Sequence, residues 1–196
     1  MAGVQIDGVN NKIDFDDDLD TSISANTDDT LVIEAGGNTM ATITATTFTI
    51  NDGTTITTAD NTDTLTLTST DADANVGPNL RLYRNSASPA DSDDIGAIRF
   101  DMRNDNSQDF TTFQMTGDCS DVSDGTEDAE VHFDIMTAGT LREYMRMASG
   151  STPNVVFNEG SQDFDFRVES NGNANMLFVD GGENHVGIGT NAPKEL

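Results

Sequence analysis

Along much of this sequence apolar and polar residues alternate with a period of two, and the polar partner is most often threonine. In Met40-Ala-Thr-Ile-Thr-Ala-Thr-Thr-Phe-Thr-Ile50, the apolar residues Ile43, Phe48 and Ile50 alternate with Thr. That period puts the apolar side chains on one face of a strand, whereas a helix needs a spacing near 3.6. Thr and Ile also favour strands because a branched Cβ packs well on a pleated surface. The runs are short and end in Asn, Asp and Gly, so the predicted fold is all-β, built from short strands and tight turns.

Strands of this kind need something to pack on, and composition limits what one chain can offer. Only 35% of the residues are hydrophobic and there is no Trp. Burial contributes roughly 25 cal/mol per Å², while ordering the backbone costs about 1–2 kcal/mol per residue. Partner chains are therefore expected to supply burial that a monomer lacks. Nine Lys plus Arg stand against 35 Asp plus Glu, a formal net charge of −26. Nucleic acid and anionic membrane surfaces would repel such a chain, which excludes nucleic-acid binding as a function. High charge can also signal disorder, but regular β-branched alternation argues for a folded protein, and acidic surfaces poor in Lys suit salty water.

Cys119 is alone, so no intrachain disulfide framework can form, and its expected role is a small residue near a turn. With only His132 and His185, a Cys/His zinc site cannot be assembled. No apolar run approaches the roughly 18 residues that span a bilayer, so no membrane insertion is expected. The N-terminus Met1-Ala-Gly-Val-Gln-Ile-Asp7 has neither the basic region nor the apolar core of a signal peptide. Synthesis in the cytoplasm and release by another route, such as host lysis, is the expectation.

Three segments follow from composition. Residues 1–76 are Thr/Asp-rich with Lys12 as the only basic residue, whereas every Arg lies later. Here a motif occurs twice, Ser22-Ile-Ser-Ala-Asn-Thr-Asp-Asp-Thr-Leu-Val-Ile33 and Thr55-Ile-Thr-Thr-Ala-Asp-Asn-Thr-Asp-Thr-Leu-Thr-Leu67, which reads either as stacked β repeats or as two hairpins of one sheet. Residues 77–150 read as a β-sandwich-like module with strands at Leu80–Arg84, Ile95–Met102, Phe110–Met115, Glu130–Met136 and Leu141–Met147, the last on account of its flanking Gly residues. Residues 151–196 hold four short strands, Val155–Phe157, Phe164–Glu169, Met176–Val179 and Val186–Ile188. Asn171-Gly172 is read as a hairpin turn needing φ above zero at both positions. Such short strands suit an elongated, trimeric shaft in which each of three chains supplies one wall.

Val186-Gly-Ile-Gly-Thr-Asn-Ala-Pro193 resembles the VGIGT-x-x-P motif of tail-fibre and appendage proteins of tailed bacteriophages. The preceding segment Val156–Asp180 resembles a stretch found upstream of that motif, particularly in marine phages. Ser86-Ala-Ser-Pro-Ala-Asp91, Ile95-Gly-Ala-Ile-Arg-Phe100 and Asp124-Gly-Thr-Glu-Asp128 are similar to the same family, so the likeness covers roughly residues 60–193. The resemblance implies a β-rich homotrimer located in the virion, with other capsid, tail or fibre subunits as partners. In many relatives a further shaft, coiled coil or chaperone domain follows the motif. Only Lys194-Glu-Leu196 follows here, which favours a short fibre, a capsid or tail decoration protein, or an adaptor.

The residues that could carry chemistry mostly admit a plainer role. Asp14, Asp16 and Asp18 have the opening spacing of a calcium loop, but the sixth and twelfth positions are Leu19 and Ala25 where an EF-hand needs Gly and Glu. A solvated acidic turn is expected. Gly181-Gly-Glu-Asn-His185 resembles one calcium nonapeptide unit but occurs once, and reads as a tight turn. His132 lies in an alternating strand and His185 borders one, with no nucleophile elbow near either, so packing or hydrogen-bonded roles are expected. Carboxylate pairs such as Asp163 and Asp165 are inevitable among 35 acids and do not indicate a glycosidase. Neither a catalytic, cofactor-binding nor metal site is predicted. The acidic loops Asp91–Asp94 and Asp118–Asp128 are expected at exposed tips where a host receptor could bind. With Tyr83 and Tyr144 as the only tyrosines, a host surface glycan finds few aromatic platforms. The competing functions are a receptor-binding fibre module and a calcium-stabilised adhesin.

Overall fold

A computed structural model describes residues 4–194, and among them strands form three antiparallel sheets with no helix. The chain divides into two compact units between Asn79 and Leu80.

The first unit is a meander of β1 (Gln5–Asp7), β2 (Lys12–Asp14), β3 (Ser22–Thr27), β4 (Thr30–Ala35), β5 (Asn38–Thr44) and β6 (Phe48–Ile50), paired in chain order. Gly36 and Gly37 connect β4 to β5 with φ of 57° and 73°, the conformation a two-residue hairpin requires. Register aligns Ile6, Ile13, Ile23, Ile33, Ala41 and Ile50 in one row across all six strands. Paired residues share a face, so the period-two pattern becomes an isoleucine stripe. The deepest side chains, by contrast, are polar: Asp14, Ser22 and Ser24. Ser22 donates to Glu34 Oε2 at 2.9 Å, and Asp14 meets Lys12 Nζ at 2.7 Å.

Residues 51–92 contain no strand and are exposed almost throughout. The first copy of the repeated motif forms the β3–β4 hairpin, while the second, Thr55–Leu67, remains unpaired. The expected strand at Leu80–Arg84 is likewise absent. That stretch is held by side chains instead: Arg84 bonds Asp93 at 3.0 Å and the Asp94 carbonyl at 2.7 Å.

The second unit opens with one five-stranded sheet in the order β11-β10-β9-β8-β7. Its strands are β7 (Asp93–Arg103), β8 (Asp109–Asp121), β9 (Asp128–Thr137), β10 (Thr140–Ala148) and β11 (Asn154–Phe157). Residues 77–150 thus form one layer rather than the two of a sandwich, and β11 extends that layer past residue 150. Leu141–Met147 lies in β10, a strand as expected. A smaller sheet follows from β12 (Phe166–Val168), β13 (Leu177–Asp180) and β14 (His185–Ile188). The β12–β13 turn at Asn171-Gly172 does not use positive φ. Ser170 closes it, its backbone N–H bonding the Asn173 carbonyl at 2.8 Å and its hydroxyl accepting from Asn173 N–H at 3.1 Å.

Candidate functional site

The five-stranded sheet has two chemically opposite faces, and register assigns them. One row runs Ile98, Met115, Phe133, Met145, Phe157 from β7 to β11. Beside it lie Phe100, Phe113 and Ile135 on one flank, and Val131, Met147 and Val155 on the other. Phe100 and Phe113 have ring centroids 5.5 Å apart, and Phe113 and Phe133 6.5 Å, spacings typical of interacting aromatics. This face is open: Phe100 is 57% exposed, Phe157 46% and Ile135 40%. Across both units the only buried hydrophobic residues among those described are Ala41 and Phe178.

The opposite face carries a charge network around His132. Its Nδ1 lies 2.7 Å from Glu143 Oε2, and its Nε2 3.0 Å from Asp118 Oδ2 and 3.6 Å from Glu130 Oε2. Arg146 reaches Glu130 at 3.5 Å and Glu159 at 2.7 Å. These residues meet because Asp118 pairs with Glu130 across β8 and β9, and His132 with Arg146 across β9 and β10. A bulge between Glu143 and Met145 sets the register that brings Glu143 in. Burial alone would lower the His132 pKa, but hydrogen bonds to Glu143 and Asp118 outweigh it and the net direction is upward. Asp134, on the same face, is pushed up by burial and then by the Glu143 charge. The imidazole is clamped between carboxylates that stabilise its charged form.

The chain matches no family model, no curated protein and no solved structure.

His132 is hydrogen-bonded, as its strand position suggested, but its partners lie 11 and 14 residues away in the sequence. Asp118, Glu130 and His132 present ligand atoms within 4.8 Å of one another, as do Asp16, Asp18 and Asp20, so each trio is close enough to share a cation. In the first trio the carboxylates also bond within the network, Asp118 to His132 at 3.0 Å and Glu130 to Arg146 at 3.5 Å. In the second, Asp16 accepts from Thr21 N–H at 3.3 Å, while burial followed by Asp18 and Asp16 raises the Asp20 pKa. Asp14 departs from the expected solvated turn, being 5% exposed and paired with Lys12.

The remaining candidates fall in separate places. Cys119 is half-buried near the end of β8, its thiol directed at the Asp121 carbonyl at 3.2 Å. His185 begins β14. Asp165 accepts from Gly181 N–H at 3.1 Å, a contact between residues 16 apart in the sequence. Tyr144 stacks on Phe164 at 4.6 Å, while Arg81 sits 4.3 Å over the exposed Tyr83 ring. The loop at Asp118–Asp128 is shorter than expected, since β8 runs to Asp121.

Proposed function

We propose that this chain is a non-enzymatic structural subunit of a bacteriophage virion, a short fibre or a capsid or tail decoration protein working as a homotrimer. The virion setting rests on the resemblance around Val186–Pro193. Self-association is supported by one observation above all, the amount of surface. A folded monomer of 20.9 kDa is expected to expose about 9,000 Å², and even two separate globules of half that mass about 10,800 Å². This chain exposes 14656 Å². The excess coincides with apolar sheet faces that stand largely exposed and with the strand-patterned segment around Thr55–Leu67 that finds no pairing strand. Association between copies removes all three anomalies at once.

Mass spectrometry of purified particles of the encoding phage, with antibody-gold labelling, tests the reading. The chain is expected in intact particles, localised to an appendage or to the capsid surface. Particles lacking it, or reproducible polysaccharide cleavage by the purified protein that one Asp or His substitution abolishes, would contradict it.

A further inference from the structure

We propose that the apolar face of the five-stranded sheet is where copies of this chain meet, with three such faces turned inward around a common axis. The inference rests on the homotrimer reading and adds which surface closes it.

The two faces of the sheet dictate the orientation. The outward alternative would bury His132, Asp118, Glu130, Glu143 and Arg146 against another chain, and desolvating several charges costs more than their pairing returns unless every one is satisfied. The apolar face carries one charge by register, Arg142 opposite Ile135 near the start of β10, and burying Ile98, Phe100, Phe113, Met115, Phe133 and Ile135 beside it desolvates no carboxylate. It gains roughly 25 cal/mol per Å². A wall roughly 19 Å wide and, at the 10 residues of β9, about 33 Å long presents roughly 600 Å² of flat area, of the order of the roughly 800 Å² that a standard interface takes from each partner.

Strand count favours three walls over a larger ring. Five strands with neighbours about 4.8 Å apart make a wall roughly 19 Å wide, and packed sheet faces lie about 10 Å apart, or about 5 Å from a shared midline. In a triangular prism of that wall width each wall stands roughly 5.5 Å from the axis, close to what inward Phe and Met side chains fill. Four such walls would stand roughly 9.5 Å away and leave a hollow centre. The first unit's face is apolar too, with Leu31, Ile43 and Phe48 in a second row beside the isoleucine stripe, but it carries one ring where the five-stranded sheet carries Phe100, Phe113, Phe133 and Phe157.

The test uses the full chain with Cys119→Ser, which removes the lone thiol, and adds one new thiol at a time. Ile135→Cys and Met147→Cys report the inward face, and Arg99→Cys the opposite face, since Arg99 pairs with Gln114. Alkylation rate is measured beside mass by light scattering, with circular dichroism confirming strand content. In a trimer, both inward thiols should react at least about tenfold more slowly than Arg99→Cys. A trimer in which all three react alike would overturn the assignment of this face while leaving the homotrimer standing. A dimer with protected inward thiols would overturn the three-walled arrangement. A monomer at every concentration would overturn this inference and the homotrimer together.

Discussion

The smallest sheet has a core of its own and the five-stranded sheet has none. In β12–β14, Phe178 is 8% exposed and Gly187 beside it is buried, while Phe157 against Phe166 at 4.8 Å joins this sheet to the edge of the larger one. The five-stranded sheet holds more Phe, Met and Ile, yet its buried residues are Thr111 and Thr116. Apolar content therefore does not locate the core of this chain. What decides is whether the backbone folds back, and glycine permits that in the small sheet. A Cβ at Gly181 would collide with the Phe164 carbonyl oxygen, and one at Gly187 with the Thr190 carbonyl oxygen. Gly189 holds a φ of 75°. Both glycines of the Val186-Gly-Ile-Gly-Thr190 motif thus have a backbone reason. Gly117 in β8 has nothing within 4 Å of an added Cβ.

The comparison breaks most sharply on two charges. Phe178→Asp removes a buried ring, a change worth about 3–5 kcal/mol even before the charge is desolvated, so β12–β14 should lose hydrogen-exchange protection at any protein concentration. Ile135→Asp should leave strand content intact and abolish assembly. If Ile135→Asp unfolds the chain while Phe178→Asp only dissociates it, the division between an internal core and an external one is wrong.

Glycine substitutions sharpen the same contrast at smaller scale. Gly187→Ala should cost about 1–3 kcal/mol in urea unfolding, because backbone must shift to admit the methyl group. Gly117→Ala should lie within about 0.5 kcal/mol of neutral or be slightly stabilising. Equal effects would remove the backbone account of the motif.

The alternation made most strands legible, including Leu141–Met147, because period two reports directly which residues share a face. What covers a face is not written in that period, and so residues 77–150 read as a sandwich where the structure has one layer. Thr55–Leu67 carries the same alternation as β3 and β4 but lacks a neighbouring strand, and propensity alone cannot supply one. The turn at Asn171-Gly172 depends on the Ser170 side chain rather than on left-handed backbone. The His132 network was hidden because Asp118 and Glu143 reach it only through register and a bulge. Asp14 was misplaced for a related reason, since β2 and β3 pairing sets it against Ser22 and beside Lys12.

Electrostatics gives two smaller effects. Each chain brings a formal charge of −26, and the screening length falls from about 30 Å at 0.01 M salt to about 3 Å at 1 M, while hydrophobic burial is not screened. The assembly should therefore melt at lower temperature in 0.01 M than in 0.5 M NaCl. A melting point indifferent to salt would place the acidic faces far apart. His132 is held above its ordinary value of 6.5, so its contribution is complete below that pH and is lost as pH rises through the folded pKa. Melting temperature should decline above about pH 6.5, and His132→Gln should flatten that decline. An unchanged slope in His132→Gln would assign the effect elsewhere.

Self-association through an apolar face is the claim on which the rest depends, and sedimentation equilibrium of the intact chain in 0.5 M NaCl tests it most directly. The account predicts a single species of three times the 20.9 kDa chain mass over a wide range of micromolar concentrations. A species of one chain mass throughout, with the same strand content, would contradict it.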